Sequence, residues 1–263
     1  DMLSKKRPIV SYMLKMVLFV LSFIAATALI ILLSSRFACP LRSFPVFSCA
    51  ELYRSIRTEE ADKTALYIII DAGHGGEDGG AVSDAGVPEK DINLDIAKRL
   101  SEFLSLSDYT PVLIRSDDRL MYEAGQESRK KYYDLTNRVE KAKQYSPAIF
   151  VSIHQNKFPI RKYKGFQVYC SKNNPQSALL GTVMQENAKR YLQPDNNRMI
   201  KTADKTIRVL DSLSMPAVLA ECGFLSNPQE AALLSSGAYQ TKLAAAILAA
   251  YLTDTEEEHG GTI

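Results

Sequence analysis

Tryptophan is absent from this chain of 263 residues, and histidine occurs only three times, at His74, His154 and His259. The lack of tryptophan excludes an indole-lined platform for stacking sugar rings. His259 lies in a polar tail that begins near Thr253, and the composition of this tail predicts disorder. The folded part therefore has two histidines, and their scarcity makes each one informative about chemistry.

A large charge of either sign is also missing, since 32 basic residues nearly balance 30 acidic residues. The net charge of +2 predicts neither a broad basic surface for nucleic acid nor a strongly acidic tail. Hydrophobic residues make up 46% of the chain, which is sufficient for a packed core and excludes wholesale disorder. The length fits one sizeable domain with an appendage.

One long hydrophobic run lies near the N-terminus. Residues 16–35 contain no charge, and at about 1.5 Å per residue they match the roughly 30 Å hydrocarbon core of a bilayer. Basic residues at positions 5–7 and Lys15 precede the run, so the N-terminus is predicted to be cytoplasmic and the rest of the chain to lie outside. A cleaved signal peptide is the alternative, although the run is long for one.

Cysteine is scarce as well, with four residues that form neither a C-x-x-C pair nor a dense disulfide framework. Cys170 and Cys222 lie in strand-like apolar runs, so we expect them to be buried as small hydrophobic side chains. Cys39 and Cys49 flank a short loop and could form a disulfide outside the membrane.

From residue 65 onward the pattern alternates between short apolar runs and amphipathic segments. The predicted strands are residues 65–71, 110–115, 148–153, 166–170 and 217–221. The predicted helices are residues 89–106, 133–145, 176–191 and 238–252, with a further helix starting near Asn227. Nearly continuous apolar strands between helices predict an α/β fold with a single, mostly parallel sheet covered on both faces.

These features divide the chain into five predicted segments. They are a cytoplasmic N-terminus (1–15), a transmembrane anchor (16–35), a juxtamembrane linker (36–64), a folded domain (65–252) and a disordered tail (253–263).

Four side chains that could bind a metal or transfer a proton are predicted to meet at one edge of this sheet. His74 follows the first strand by three residues, His154 directly follows the third, and Glu221 ends the last. Glu89 joins them from the first turn of a helix, just after Pro88. In open α/β sheets, functional sites form at the carboxyl ends of the strands.

Two histidines and one carboxylate with an open fourth position form a typical catalytic zinc site, so we interpret His74, Glu89 and His154 as ligands of Zn²⁺. A further carboxylate nearby would act as the general base. Simpler alternatives exist for each residue: a lone histidine beside a strand is more often structural than a ligand, Glu89 could be an acid favoured at a helix start, and Glu221 could pair with an arginine. The glycines around His74 could form only a flexible turn, but they match neither a P-loop nor a dinucleotide fingerprint.

Four sequence blocks, in the same order, resemble the motifs of the zinc-dependent N-acetylmuramoyl-L-alanine amidases of the type 3 family. The resemblance covers about residues 66–252 and is far more specific than one short pattern. The blocks are residues 71–80 (DAGHGGEDGG), 88–91 (PEKD), 152–156 (SIHQN) and 220–227 (AECGFLSN).

The resemblance implies hydrolysis of the amide between N-acetylmuramic acid and L-alanine in peptidoglycan. It also implies that His74, Glu89 and His154 bind Zn²⁺, that Glu221 is the catalytic acid and base, and that residues 65–252 form the catalytic domain. A zinc carboxypeptidase or endopeptidase on wall peptides and a non-catalytic wall-binding domain remain alternatives.

Within the family, the short chain and single anchor are most similar to the germination-specific amidases of endospore formers. This similarity implies a role in the spore cortex, as a step toward muramic δ-lactam, and an accessory lipoprotein as a partner. The expected location is the cell membrane, with the catalytic domain outside the cytoplasm, or secreted if the N-terminal segment is cleaved.

Overall fold

The computed structural model describes residues 66–252. The predicted anchor over residues 16–35, the linker over residues 36–64, the pairing of Cys39 with Cys49 and the tail that holds His259 lie outside the described residues. Within residues 66–252, no helix is both long enough and apolar enough to cross a membrane.

The described chain alternates strands with helices, as the sequence pattern predicts. The strands are β1 (Leu66–Ala72), β2 (Tyr109–Leu113), β3 (Ala148–Asn156), β4 (Gln167–Cys170), β5 (Lys201–Thr202) and β6 (Ala217–Phe224). The helices are α1 (Glu89–Leu104), α2 (Lys130–Ala142), α3 (Gln176–Tyr191), α4 (Arg208–Ser212), α5 (Pro228–Leu234) and α6 (Gly237–Leu252), with a 3₁₀ turn at Glu127–Arg129 before α2.

The six strands form one sheet in the order β2-β1-β3-β6-β4-β5. The first four of these are parallel to one another, whereas β4 runs antiparallel to β6 and β5 runs parallel to β4. The predicted α/β class is thus confirmed, and the sheet is mixed. The ten residues between β3 and β4 are too few for a crossover helix, so the chain turns back at the same edge of the sheet.

Helices cover both faces of the sheet, and alternate residues of each strand enter one of two apolar cores. On one face, Ile68 and Ile70 belong to the cluster that contains side chains of α1, α3 and α6. On the other face, Ile69 and Phe150 belong to the cluster that contains Val139 of α2 together with side chains of α4. Alternation along the central strands therefore decides which side chains face α2 and α4.

Two strands are longer than the sequence pattern predicts. β3 continues to Asn156 and β6 to Phe224, so His154 and Glu221 lie within strands and not directly after or at the end of them. The parallel ladder between the two strands persists through the pair His154 and Glu221. The sequence prediction ended each strand where apolar residues give way to polar ones. Backbone pairing does not depend on side-chain polarity, so these predicted ends were too early.

Other local predictions are confirmed. Asn227 caps α5, since its side chain accepts hydrogen bonds from the backbone N–H groups of Gln229 and Glu230. Cys170 and Cys222 are free and buried in the core, as expected for small apolar side chains.

Candidate metal centre

His74, Glu89 and His154 lie together at the carboxyl ends of β1 and β3. One nitrogen or oxygen atom of each lies within 4.8 Å of the others. Glu89 lies between the two imidazoles: its Oε1 is 2.9 Å from His154 Nδ1 and its Oε2 is 3.4 Å from His74 Nε2. The three residues that sequence patterns singled out thus form a compact group of two nitrogens and one carboxylate.

Glu89 is held far more firmly than an ordinary acid at a helix start, with only 3% of its surface exposed. Its Oε1 accepts hydrogen bonds from the Gln155 backbone N–H and the Asn93 side chain, and its Oε2 accepts one from the Ala81 N–H. Burial acts to raise the pKa of Glu89, but its interactions with the two histidines outweigh burial and hold the pKa well below its usual range.

His74 has a left-handed backbone conformation, with φ of 63°. This conformation is costly for a residue with a side chain and persists only where its surroundings enforce it. The His74 carbonyl accepts a hydrogen bond from Arg138, and its ring Nδ1 is 2.9 Å from Asp78 Oδ2. A carboxylate on the second ring nitrogen is the usual way in which a metal-ligating histidine is oriented.

Two buried arginines hold the loop that follows β1. Arg138 of α2 donates to the carbonyls of Ala72 and His74 and forms an ion pair with Asp71, with 2.6 Å between Nη1 and Oδ1. Arg115, just after β2, donates to the carbonyls of Ala72 and Gly73. Both guanidinium groups are almost fully buried. The position of His74 is therefore fixed by side chains from two other elements.

Two glycines leave the space that the cluster of His74, Glu89 and His154 occupies. A Cβ on Gly73 would overlap the ring of His154. A Cβ on Gly80 would lie 2.6 Å from Glu89 Oε2 and 2.7 Å from His74 Cδ2, closer than van der Waals contact allows. The glycines around His74 are therefore more than a flexible turn, because they make room for the imidazoles and the carboxylate.

Glu221 lies beside the cluster on β6, where it pairs with His154 in the sheet. Within residues 66–252 no hydrogen-bond partner reaches its buried Oε2 atom. Burial raises the pKa of Glu221 to about 7, the charge of Glu89 adds to this effect, and the two histidines oppose it. This oxygen is thus available for a further interaction, and among residues 66–252 Glu221 does not form the arginine pair that the sequence left open.

Sequence patterns did not reveal the residues that support the cluster, namely Asp71, Asp78, Asn93, Arg115 and Arg138. A buried arginine on an amphipathic helix has the same spacing as an exposed one, so periodicity gives no signal for Arg138. Asp78 lies four residues after His74 inside the glycine-rich block, and that proximity was the one available signal.

An α/β sheet that presents this His-Glu-His group at its carboxyl edge defines a candidate metallohydrolase. Residues 68–252 match the family model described as N-acetylmuramoyl-L-alanine amidase (Amidase_3), and the chain belongs to this family.

Relatives and solved structures agree with this assignment. The chain is 33% identical to the germination-specific N-acetylmuramoyl-L-alanine amidase of Bacillus subtilis, over 68% of this chain and 76% of that protein. The CwlD amidase of Clostridioides difficile, solved in complex with the GerS lipoprotein, has a TM-score of 0.67 and 40% identity, over 71% and 98% of the two chains. The amidase AmiC2 of Nostoc punctiforme has a TM-score of 0.62 and 30% identity, over 71% of this chain and 95% of that chain.

Proposed function

We propose that the protein is a zinc-dependent N-acetylmuramoyl-L-alanine amidase, which hydrolyses the amide between the lactyl group of N-acetylmuramic acid and L-alanine. The observation that carries this proposal is the contact of Glu89 with both histidines, beside the unpartnered carboxyl oxygen of Glu221. Family membership supports the choice of scissile bond.

The donor set fits zinc. Two imidazole nitrogens and one carboxylate oxygen are ligands that Zn²⁺ prefers, and Mg²⁺ and Ca²⁺ favour shells made of oxygen. We assign the metal ligands as His74, Glu89 and His154, with Asp78 orienting the His74 ring through Nδ1. A zinc ion bound there would polarise the amide carbonyl and lower the pKa of water.

Glu221 is the proposed general base and acid. Its carboxylate would accept a proton from the attacking water and then donate it to the leaving amine of L-alanine. Burial, assisted by the charge of Glu89 and opposed by the two histidines, raises the pKa of Glu221 to about 7, which suits a group that must both accept and donate a proton at neutral pH.

The test is mass spectrometry of muropeptides after incubation with the protein, with and without a chelator. We expect release of peptides with a free N-terminal L-alanine, abolished by the chelator and restored by zinc. Glu221→Gln should lower the rate at least about 100-fold, since general acid–base catalysis contributes roughly 10²- to 10⁴-fold. Glu102→Gln, at an exposed position on α1, is the matched control and should keep full activity.

The same experiment separates the other candidate functions. A carboxypeptidase or endopeptidase would leave muramic acid substituted with a shortened peptide, whereas the amidase leaves it bare. A non-catalytic wall-binding domain would bind the glycan and release nothing. Unchanged cleavage by Glu221→Gln, or no zinc in the purified protein, would contradict the proposal.

We also propose a role in the spore cortex, as a step toward muramic δ-lactam. The similarity to the germination-specific amidase of B. subtilis and to an amidase solved with a lipoprotein supports this role and an accessory lipoprotein partner. The proposed arrangement anchors the chain by residues 16–35 and places residues 65–252 outside the cytoplasm. Cortex digestion with and without the cognate lipoprotein tests the partner, and protease accessibility in intact cells tests the location.

A further inference from the structure

A second polar site lies next to the ligand cluster, in a cavity of about 290 Å³ lined by aromatic rings and two cations. Gln167 of β4 connects this cavity to Glu221, because the two residues are directly opposite in the antiparallel pair of β4 with β6. Side chains that are directly opposite in such a pair project from the same face of the sheet. The cavity therefore continues the face on which Glu221 and His154 lie.

Arg198 is held rigidly at this cavity. Its Nε donates to the Lys164 carbonyl at 2.7 Å, and its Nη1 donates to Gln167 Oε1 at 3.0 Å. Its guanidinium carbon is 4.5 Å from the centre of the Phe224 ring, which is a cation–π arrangement. Three contacts thus fix the plane of the guanidinium beside the strand residue that faces Glu221.

The cations of the cavity have no ion-pair partner in the described part of the chain, although Arg198 is near enough to Glu230 to oppose the rise that burial causes in the pKa of Glu230. Within residues 66–252, neither Arg198 nor Lys201 forms an ion pair, and Arg198 Nη2 has no hydrogen-bond partner. Two other cations near the cluster are paired, Lys90 with Asp118 and Lys130 with Glu77. A rigid guanidinium with a free nitrogen is preorganised for a carboxylate.

We propose that Arg198, assisted by Lys201, binds a carboxylate of the stem peptide of the substrate, an inference that rests on the proposed amidase function. The glycan of such a substrate is uncharged once its lactyl group is in amide linkage, so the carboxylates lie on the peptide side of the scissile bond. Neighbouring strands lie roughly 4.8 Å apart, and extended peptide advances roughly 3.4 Å per residue. Because Arg198 Nη1 is 3.0 Å from the side chain of Gln167, on the strand next to Glu221, we expect a carboxylate within the first three residues to reach Arg198 from a bond at the cluster.

The test compares two substrates and matched variants of the zinc-loaded full chain. One substrate is an N-acetylmuramoyl tripeptide with free carboxylates, and the other is the same compound with every peptide carboxylate converted to a carboxamide. For the free substrate, Arg198→Met should lower kcat/KM about 10- to 100-fold, mainly through KM, since hydrogen bonds to charged groups are the stronger ones. For the amidated substrate we expect a wild-type rate that is already reduced, and Arg198→Met should change it less than about twofold.

Three further variants serve as controls for this interpretation. Arg198→Lys keeps the charge and should recover part of the loss, and Lys201→Met should show the same substrate dependence with a smaller effect. Lys98 is exposed on α1, which covers the opposite face of the sheet. Lys98→Met should therefore match the wild type on both substrates. If Arg198→Met does not fold, as judged by its thermal unfolding, Lys201→Met on the two substrates decides the matter.

Equal losses of Arg198→Met on both substrates, or no loss on either, would overturn the carboxylate site and leave the amidase function intact. Failure of the zinc-loaded wild type to cleave either substrate, even with the cognate lipoprotein added, would instead refute the amidase function, and the carboxylate site would fall with it.

Discussion

At the scale of single residues, the candidate metal centre depends on side chains that are missing as much as on those present. Gly73 and Gly80 both face the cluster, one against the His154 ring and one against Glu89 and His74. Any side chain at either position would occupy the space of a proposed ligand. These glycines are therefore part of the centre, although neither could bind a metal.

Gly80→Ala should disrupt the cluster. The added methyl group would lie 2.6 Å from Glu89 Oε2, and the residue would keep a strained φ of 67°. Gly86→Ala is the matched control, because Gly86 has a similar φ of 80° but nothing within 4 Å of the added atom. Backbone strain should lower the free energy of unfolding of both variants by about 1–2 kcal/mol. Only Gly80→Ala should also lose most of its bound zinc.

Metal analysis after dialysis, together with chemical denaturation, separates the two effects. Equal zinc content in the two alanine variants would show that the space near Gly80 is unimportant for the centre.

The candidate ligands could be predicted from residue chemistry in the sequence, but the residues that hold them in place could not. Histidine is rare in this chain, and His74 stands in a run of glycines, so it attracts attention without any structure. Arg138 and Asp71 lack such a signal, because arginine and aspartate are common and a pattern of hydrophobic residues does not report burial of a charged group. Only three-dimensional structure shows that their side chains meet inside the protein.

At the scale of secondary-structure elements, the loop after β1 is held by α2 and by Arg115, two residues after the end of β2. Arg138 bridges α2 to the carbonyl of His74 and to Asp71, and Ser152 of β3 donates to the same aspartate. Burial acts to raise the pKa of Asp71, but Arg138 and Ser152 outweigh it and lower the pKa, which keeps the ion pair charged. Packing of α2 on the sheet and placement of His74 are thus coupled.

Arg138→Met should destabilise the fold by about 3–5 kcal/mol, because it leaves the buried carboxylates of Asp71 and Asp134 without their partner. It should also weaken zinc binding, since the His74 carbonyl loses its donor. Lys143→Met, just after the same helix, removes an exposed ion pair and should cost no more than about 1 kcal/mol.

Urea denaturation gives the stability of both variants, and competition with a fluorescent chelator gives their zinc affinity. A purely structural role for Arg138 would lower stability and leave the zinc affinity of the remaining folded protein unchanged.

Strand direction is the element-level feature that sequence periodicity could not supply. Apolar runs predict that a strand exists, but β4 is short and its run has the same character as the parallel strands. Its antiparallel direction follows from the brevity of the β3–β4 connection, and this direction places Gln167 opposite Glu221. The cavity beside Arg198 could therefore not be predicted from the sequence, although the strand β4 that borders it was predicted.

At the scale of the whole molecule, one sheet separates the apolar support from the polar site. The face covered by α1, α3 and α6 is apolar along the central strands, with Ile153, Ala220 and Cys222 buried in its core. The opposite face changes from apolar to polar at the carboxyl edge, where Asp71, Ser152 and His154 project. The position of the site at this edge could be predicted from topology, because parallel strands end together.

The cluster joins residues from the loop after β1, from α1 and from β3, so a metal ion bound there should stabilise the entire fold. Zinc held about 1,000-fold above its dissociation constant stabilises a native state by about 4 kcal/mol, which corresponds to roughly 8–16 °C in Tm for a domain of this size. Removing zinc with a chelator should lower the Tm by this amount, and restoring zinc should reverse the change. His154→Ala should start near the chelated value and respond little to chelator, whereas Glu221→Gln should keep the full response. An equal response of His154→Ala and wild type would mean that zinc binds elsewhere.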